Sequence, residues 1–329
     1  MKVLALVSLA LAASMAAPAE TAPERPSLGF PLACQLGSTC EIQHYVDRDP
    51  GPATRDYRCG LKTYDEHNGI DIRLLDMAAQ RRGVGVLAAA AGTVTRLRDG
   101  VPDISIRAPG APPVAGKECG NAVVVDHGGG WETQYCHLAR GSIAVKIGDR
   151  VAAGAPLARV GLSGDTEFPH LHLTVRHAGQ VVDPFAPDMS QPQACATQTG
   201  LWTTAAAARM SYRPGVVLNA GFTDAQITND DVENGGLRPV SADSPLMVAY
   251  VRAIALLPGD AVELDLKGPD GVSLARNRRP PLERWRAQDF YYVGKKRPAG
   301  GWPRGLYSAD YKVWRDGKVA VARRFTLQL

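Results

Sequence analysis

The chain has 329 residues, room for about two domains at roughly 150 residues each, with 45% hydrophobic and 21% charged residues. That is an ordinary globular balance, and a net charge of +4 with mixed signs gives no ground for a nucleic-acid partner. Gly 34 and Pro 24 against 6% aromatics favour turn-rich β structure over long helices.

Residues 1–19 have the build of a secretory signal peptide. Lys2 supplies the positive start, Leu4 to Ala13 the apolar run, and Ala17-Pro18-Ala19 the small-x-small cleavage pattern. The run is short for a bilayer span, and no Cys follows it for a lipid anchor. No later segment is long and apolar enough to cross a membrane, so no transmembrane anchor is expected. Export to the periplasm or the medium implies an oxidising compartment. Six cysteines (Cys34, Cys40, Cys59, Cys119, Cys136, Cys195) then read as a disulfide framework. Cys119 and Cys136 lie almost symmetrically about a turn at His127 to Gly130, which suggests a cross-hairpin bridge. The pairs Cys34–Cys40 and Cys59–Cys195 are a guess for the remainder among the connectivities open.

Residues 20–59 read as a linker and an irregular, disulfide-pinned segment, with a loop signal at Asp47 to Pro52. From Gly69 onward the pattern is β. Short runs at 69–74, 84–89, 92–97, 121–126, 131–137, 145–151, 156–161 and 170–175 are separated by glycines, as in an antiparallel sheet. A linker covers about 191–204. Alternation returns at 216–222, 246–257, 261–266, 307–313 and 319–327, with a hairpin turn at Asp316-Gly317. Residues 200–329 are therefore expected to form a small β-sandwich of immunoglobulin-like type.

The chemistry concentrates in two places. In Pro169-His170-Leu171-His172-Leu173, two histidines at i, i+2 share one strand face. Far upstream, His67-Asn68-Gly69-Ile70-Asp71 sets a His and an Asp four apart. Two imidazoles and one carboxylate are a common ligand set for catalytic zinc, which keeps one position open for water. If the segments meet, the chain is a metal-dependent hydrolase. His137, at the end of the hairpin strand, is a fourth histidine in a suitable setting. His44 and His177 read as ordinary satisfied histidines, and His127 as a turn residue. Asp65 and Glu66 read as solvated loop charges, with support of a metal ligand as the sharper alternative.

The order HNGID, AAAAGTV, GNAVVVDHGGGWETQYCHL, VKIGDRVAAGAPLARVG and PHLHL resembles the M23 family of zinc metallopeptidases, of lysostaphin and LytM type, over about residues 60–187. The resemblance implies a domain at 60–190 with an antiparallel β-sheet groove, one zinc ion per chain, and cleavage of peptide stems cross-linking bacterial peptidoglycan. It makes His67, Asp71 and His172 the zinc ligands. It makes His137 and His170 the unligated catalytic pair, without saying which is the general base. The chain departs from the family's pattern in the loop 162–168 and in Leu173-Thr174 after the HxH. Those changes bear on substrate preference rather than on metal binding.

Competing motifs are weak. Gly83-Val84-Gly85-Val86-Leu87-Ala88 imitates a dinucleotide fingerprint but precedes a strand instead of opening a helix. Ser163 misses the GxSxG elbow by one position, and there is no HExxH. Two other functions fit the same residues: a non-catalytic M23-like module that binds or activates another cell-wall hydrolase, and a secreted peptidase acting on Gly-rich proteins. The sandwich carries no catalytic constellation and is expected to engage a cell-wall or protein partner, or to act as a structural cap. The segment 34–66, just before His67, is a candidate cover that would keep the groove latent.

Overall fold

The computed structural model describes residues 25–188, 195 and 200–329. The expected signal peptide lies outside the described residues. The elements begin with β1 (Cys40–His44), β2 (Ile70–Leu74), α1 (Met77–Arg82), β3 (Gly85–Leu87), β4 (Gly92–Arg98) and β5 (Asn121–Gly128). Next come β6 (Trp131–Leu138), β7 (Arg150–Val151), β8 (Pro156–Arg159), β9 (His170–His177), β10 (Gln180–Val182) and α2 (Thr204–Arg209). The C-terminal part holds β11 (Val216–Thr223), α3 (Asn229–Asn234), β12 (Leu246–Leu256), β13 (Ala261–Lys267), β14 (Ser273–Arg278), β15 (Arg286–Lys296), β16 (Leu306–Arg315) and β17 (Lys318–Gln328). No described helix is long and apolar enough to cross a membrane.

The first sheet is antiparallel throughout, in the order β1-β2-β9-β6-β5-β4-β7, with β10 added beside β9. Strand alternation sorts its two faces. Ile70, Ile72, Leu74, Leu171, Leu173, Tyr135 and Leu138 are all fully buried in one core. The intervening residues Asp71, Arg73, His170 and His172 face the other way. Register sets Asp71 opposite His172 and Arg73 opposite His170. The Gly triplet between β5 and β6 has three consecutive positive φ angles (82°, 57° and 81°), which L-residues with a Cβ rarely adopt.

Part of segment 34–66 is ordered differently from the irregular reading. Cys40–His44 forms β1, the edge of the sheet, and all five of its residues are buried. All six cysteines are paired, as Cys34–Cys40, Cys59–Cys195 and Cys119–Cys136.

The C-terminal strands form two facing antiparallel sheets, β11-β12-β15 and β14-β13-β16-β17, around a core that includes Met247, Val251, Val262, Leu264, Leu266, Tyr307, Tyr311 and Val313. An immunoglobulin constant domain sets its fourth strand on the sheet of the first, second and fifth. Here the fourth, β14, pairs with the third, β13.

The sandwich packs against the polar face of the first sheet through a buried charge cluster. Arg73 and Arg252, both 0% exposed, share Glu233 Oε2 at 2.6 and 2.5 Å. Arg73 also donates to Gln43 Oε1 (3.1 Å) and Gln288 Oε1 (2.8 Å), and its guanidinium lies 4.0 Å from the Phe168 ring centre. Arg252 donates to the Leu75 carbonyl and to Asn219 Oδ1. Glu233 is delivered by the six-residue α3. Too short to persist on propensity alone, this helix is capped by a Thr228–Asp231 box that satisfies its first donors.

Candidate active site

β2, β9 and the end of β6 lie side by side and carry Asp71, His170, His172 and His137, while His67 comes from the turn just before β2. His67 Nε2, Asp71 Oδ1 and His172 Nδ1 converge: His67 to Asp71 is 3.2 Å, His172 to Asp71 2.9 Å, and His67 to His172 3.2 Å. His67 and Asp71 are each 2% exposed, and the His172 side chain is 12% exposed. Gly69 permits this approach. A Cβ built there would lie 2.5 Å from His172 Nε2 and 2.7 Å from the Leu173 carbonyl oxygen.

The three donor atoms suit a small N/O-binding cation. A metal held at about 2.0–2.2 Å by each in tetrahedral geometry needs donors roughly 3.3–3.5 Å apart, a small expansion of the present spacing. The outer atoms of the ligands are also held. His67 Nδ1 donates to the Tyr45 carbonyl (2.7 Å). His172 Nε2 lies 3.1 Å from both Asn68 Oδ1 and Thr174 Oγ1. These bonds leave His67 Nε2 and His172 Nδ1 as the lone-pair nitrogens, which is the tautomer pattern a metal requires.

The other two expected histidines flank this cluster. Their ring centres are 4.6 Å apart, and each is 6% exposed. His137 Nδ1 donates to the Ser163 carbonyl at 2.8 Å. His170 Nδ1 bonds the Phe168 carbonyl at 2.9 Å, with Thr166 Oγ1 at 3.1 Å. The Nδ1 bonds leave both Nε2 atoms turned toward the cluster, and that of His170 lies 3.5 Å from Asp71 Oδ1. His137 has φ +59°. This left-handed turn, costly for a residue with a side chain, lets the consecutive residues Cys136 and His137 line the same cleft. The cleft, of about 270 Å³, is also lined by Tyr64, Asn68, Glu118, Gln134 and His172.

The electrostatics of the metal-free protein follow from burial and crowding. Burial works against the Asp71 carboxylate, but His67 and His170 and the hydrogen bonds of His170 and His172 outweigh it, holding its pKa well below the usual range. Burial pushes the His137 imidazole well below its ordinary value, reinforced by His170 and His172. His137 is thus a neutral base at neutral pH.

One residue of this neighbourhood escaped the sequence reading. His44, taken as an ordinary satisfied histidine, is buried on β1 directly opposite Asp71, with Nδ1 2.9 Å from Asp71 Oδ2. Only the β1–β2 pairing reveals it. His127 bonds the Ala91 carbonyl and Thr133 Oγ1, tying β5 to the loop before β4. His177 stacks on Trp131 away from the cluster.

Two imidazoles and a carboxylate meeting at one point on an antiparallel sheet, with two spare imidazoles beside them, have the form of a single-metal hydrolytic centre. Residues 65–184 match Peptidase family M23, and the chain carries a domain of that family. It is 37% identical over 129 residues to the cell division protein DipM of Caulobacter vibrioides, covering 39% of this chain and 17% of that protein. It is 32% identical over 134 residues to the DD-carboxypeptidase/endopeptidase Mpg of Neisseria meningitidis serogroup B, covering 40% of this chain and 25% of that one. A 65-residue stretch is 42% identical to the murein hydrolase activator EnvC of Escherichia coli, over 20% of this chain and 15% of EnvC. The chain thus spans a quarter or less of the length of these curated relatives. Among solved structures, a zinc-containing peptidase from Vibrio cholerae matches 48% of this chain and 39% of its own, with 24% identity and a TM-score of 0.33.

Proposed function

We propose that this protein is an exported zinc metallo-endopeptidase that hydrolyses peptide cross-links of bacterial peptidoglycan. The observation that carries the reading is the convergence of His67 Nε2, Asp71 Oδ1 and His172 Nδ1 beside two histidines that are anchored through Nδ1 and stand outside the ligand set. The relation to Mpg, whose name gives a peptidase activity, supports it.

His67, Asp71 and His172 would hold one zinc ion. Bound there, zinc would supply an acidified water, with a pKa near 7, and a polarised scissile carbonyl. His137 Nε2, kept neutral by burial, takes up the proton released during attack and returns it to the leaving amine. The Nδ1 bond to the Ser163 carbonyl fixes the ring for both transfers. His170 Nε2 is placed to hold a proton against the developing negative charge on the substrate oxygen. The peptide lies along the cleft between Tyr64 and the Cys119–Cys136 bridge. The three disulfides agree with an oxidising compartment outside the cytoplasm.

The test is zinc analysis of the purified protein combined with a peptidoglycan-digest assay. His172→Ala is expected to lose both metal and activity. His137→Ala and His170→Ala are expected to keep zinc and lose about 10²–10⁴-fold in kcat. Wild-type protein that releases no peptide fragments after zinc loading would sink the enzyme reading. The similarity to EnvC favours a second reading, a module that activates a separate hydrolase. In that case, adding the inactive His170→Ala protein to a separate murein hydrolase would still stimulate it.

A further inference from the structure

Asp71 divides its two carboxylate oxygens between different partners. Oδ1 faces His67 and His172, while Oδ2 accepts from His44 Nδ1 at 2.9 Å. The bond joins two cross-strand neighbours, since His44 on β1 stands opposite Asp71 on β2. His44 is 7% exposed and Asp71 2%, so little water competes for the contact. The imidazole is itself confined. Tyr64 meets it edge-on at 5.2 Å, His67 at 5.8 Å, and Trp285, from the loop leading into β15, lies 6.3 Å away. His44 lies outside the region that matches the family, residues 65–184.

We propose that His44 is a positioning residue for the metal carboxylate. By occupying Oδ2 it fixes the rotation of the Asp71 side chain and presents Oδ1 alone to the metal. A carboxylate free to turn would swing between one-oxygen and two-oxygen binding, and ligands held by an outer hydrogen bond typically bind metal more tightly. This assignment rests on the zinc reading above.

Zinc affinity of the full chain, measured by competition with a chromophoric chelator, separates a hydrogen-bonding role from a packing role. His44→Asn keeps an N–H donor near the position of Nδ1 but loses the ring. His44→Phe keeps the ring between Tyr64 and Trp285 but loses the donor. The expected order is wild type close to Asn, within about threefold, with Phe about 10–100-fold weaker. The visible spectrum of the cobalt-substituted protein should change in His44→Phe and stay near wild type in His44→Asn. Wild-type affinity and spectrum in His44→Phe, or weaker binding by Asn than by Phe, would overturn the assignment. If His44→Phe does not fold, His44→Ala replaces it: a loss of about 10–100-fold restored in Asn supports the role, and equal affinities refute it. Wild-type protein that takes up no zinc removes the metal reading itself. Normal zinc uptake with an indifferent His44 removes only this inference.

Discussion

Asp183 shows how far burial alone moves a titrating group in this protein. It is 0% exposed, with Oδ1 accepting from the Phe185 amide at 2.9 Å. Burial raises its pKa to about 7, against the lowering effects of the Phe185 amide and Arg48. The folded protein therefore holds this proton more tightly than the unfolded chain. The contribution is favourable at low pH, declines as pH rises from about 4, and is lost above about 7. Asp183→Asn should flatten that slope and stabilise the protein above pH 7 by about 1–3 kcal/mol. Thermal unfolding of both proteins at pH 5 and pH 8 checks this; an equal effect at the two pH values would refute it. His44 makes a different residue-scale point. His67 with Asp71, and His170 with His172, stand out in the sequence because their spacing is local, and His137 through its place at the end of a legible hairpin. The role of His44 depends on a strand pairing across 27 positions, which no local pattern encodes.

Among the elements, the hairpin of β5 and β6 carries the most consequence for chemistry. The Cys119–Cys136 bridge closes its base, and the Cys119 carbonyl accepts from the His137 amide at 2.8 Å. The bridge thus holds the backbone that leads into the residue proposed as base. Replacing both cysteines with serine should cost about 2–4 kcal/mol of stability and roughly tenfold in kcat through loosened positioning. Zinc content should not change, because no ligand sits on the hairpin. Undiminished turnover in a destabilised protein would show that the bridge only stabilises. Glycine-bounded alternation made β2, β4, β5, β6 and β9 legible in the sequence. β1 was hidden between a cysteine bridge and a loop signal. The polar β14, with its exposed Arg276 and Arg278, and β15, which opens on Arg286-Ala287-Gln288-Asp289 and ends on two lysines, were hidden because polar residues mask the alternation. Segment 34–66 also takes on another character: deleting residues 20–58 would remove β1, His44 and Tyr45, not merely a cover.

At the scale of the whole molecule, the Arg73–Glu233–Arg252 cluster joins the sandwich to the strand that bears Asp71. Nothing in the IDIRL pattern distinguishes Arg73 from a solvated strand residue; it is buried because another sheet lands on it. Glu233→Ala would leave two buried guanidinium groups without their shared carboxylate, a loss of about 3–5 kcal/mol. Denaturant unfolding measures it, and a change below about 1 kcal/mol would mean that water reaches the junction. A cleft of about 560 Å³ lies at this same junction, lined by His44, Phe168 and Trp285 among others.

The place of β1 at the rim of the first sheet bears on handling the protein. A fragment trimmed to residues 65–184 would strip β1 from β2 and expose a row of unpaired backbone amides and carbonyls beside Ile70, Ile72 and Leu74. Bare, apolar strand edges recruit one another. Such a fragment should self-associate and precipitate at concentrations where the chain from residue 25 stays dispersed, and light scattering of the two would show it.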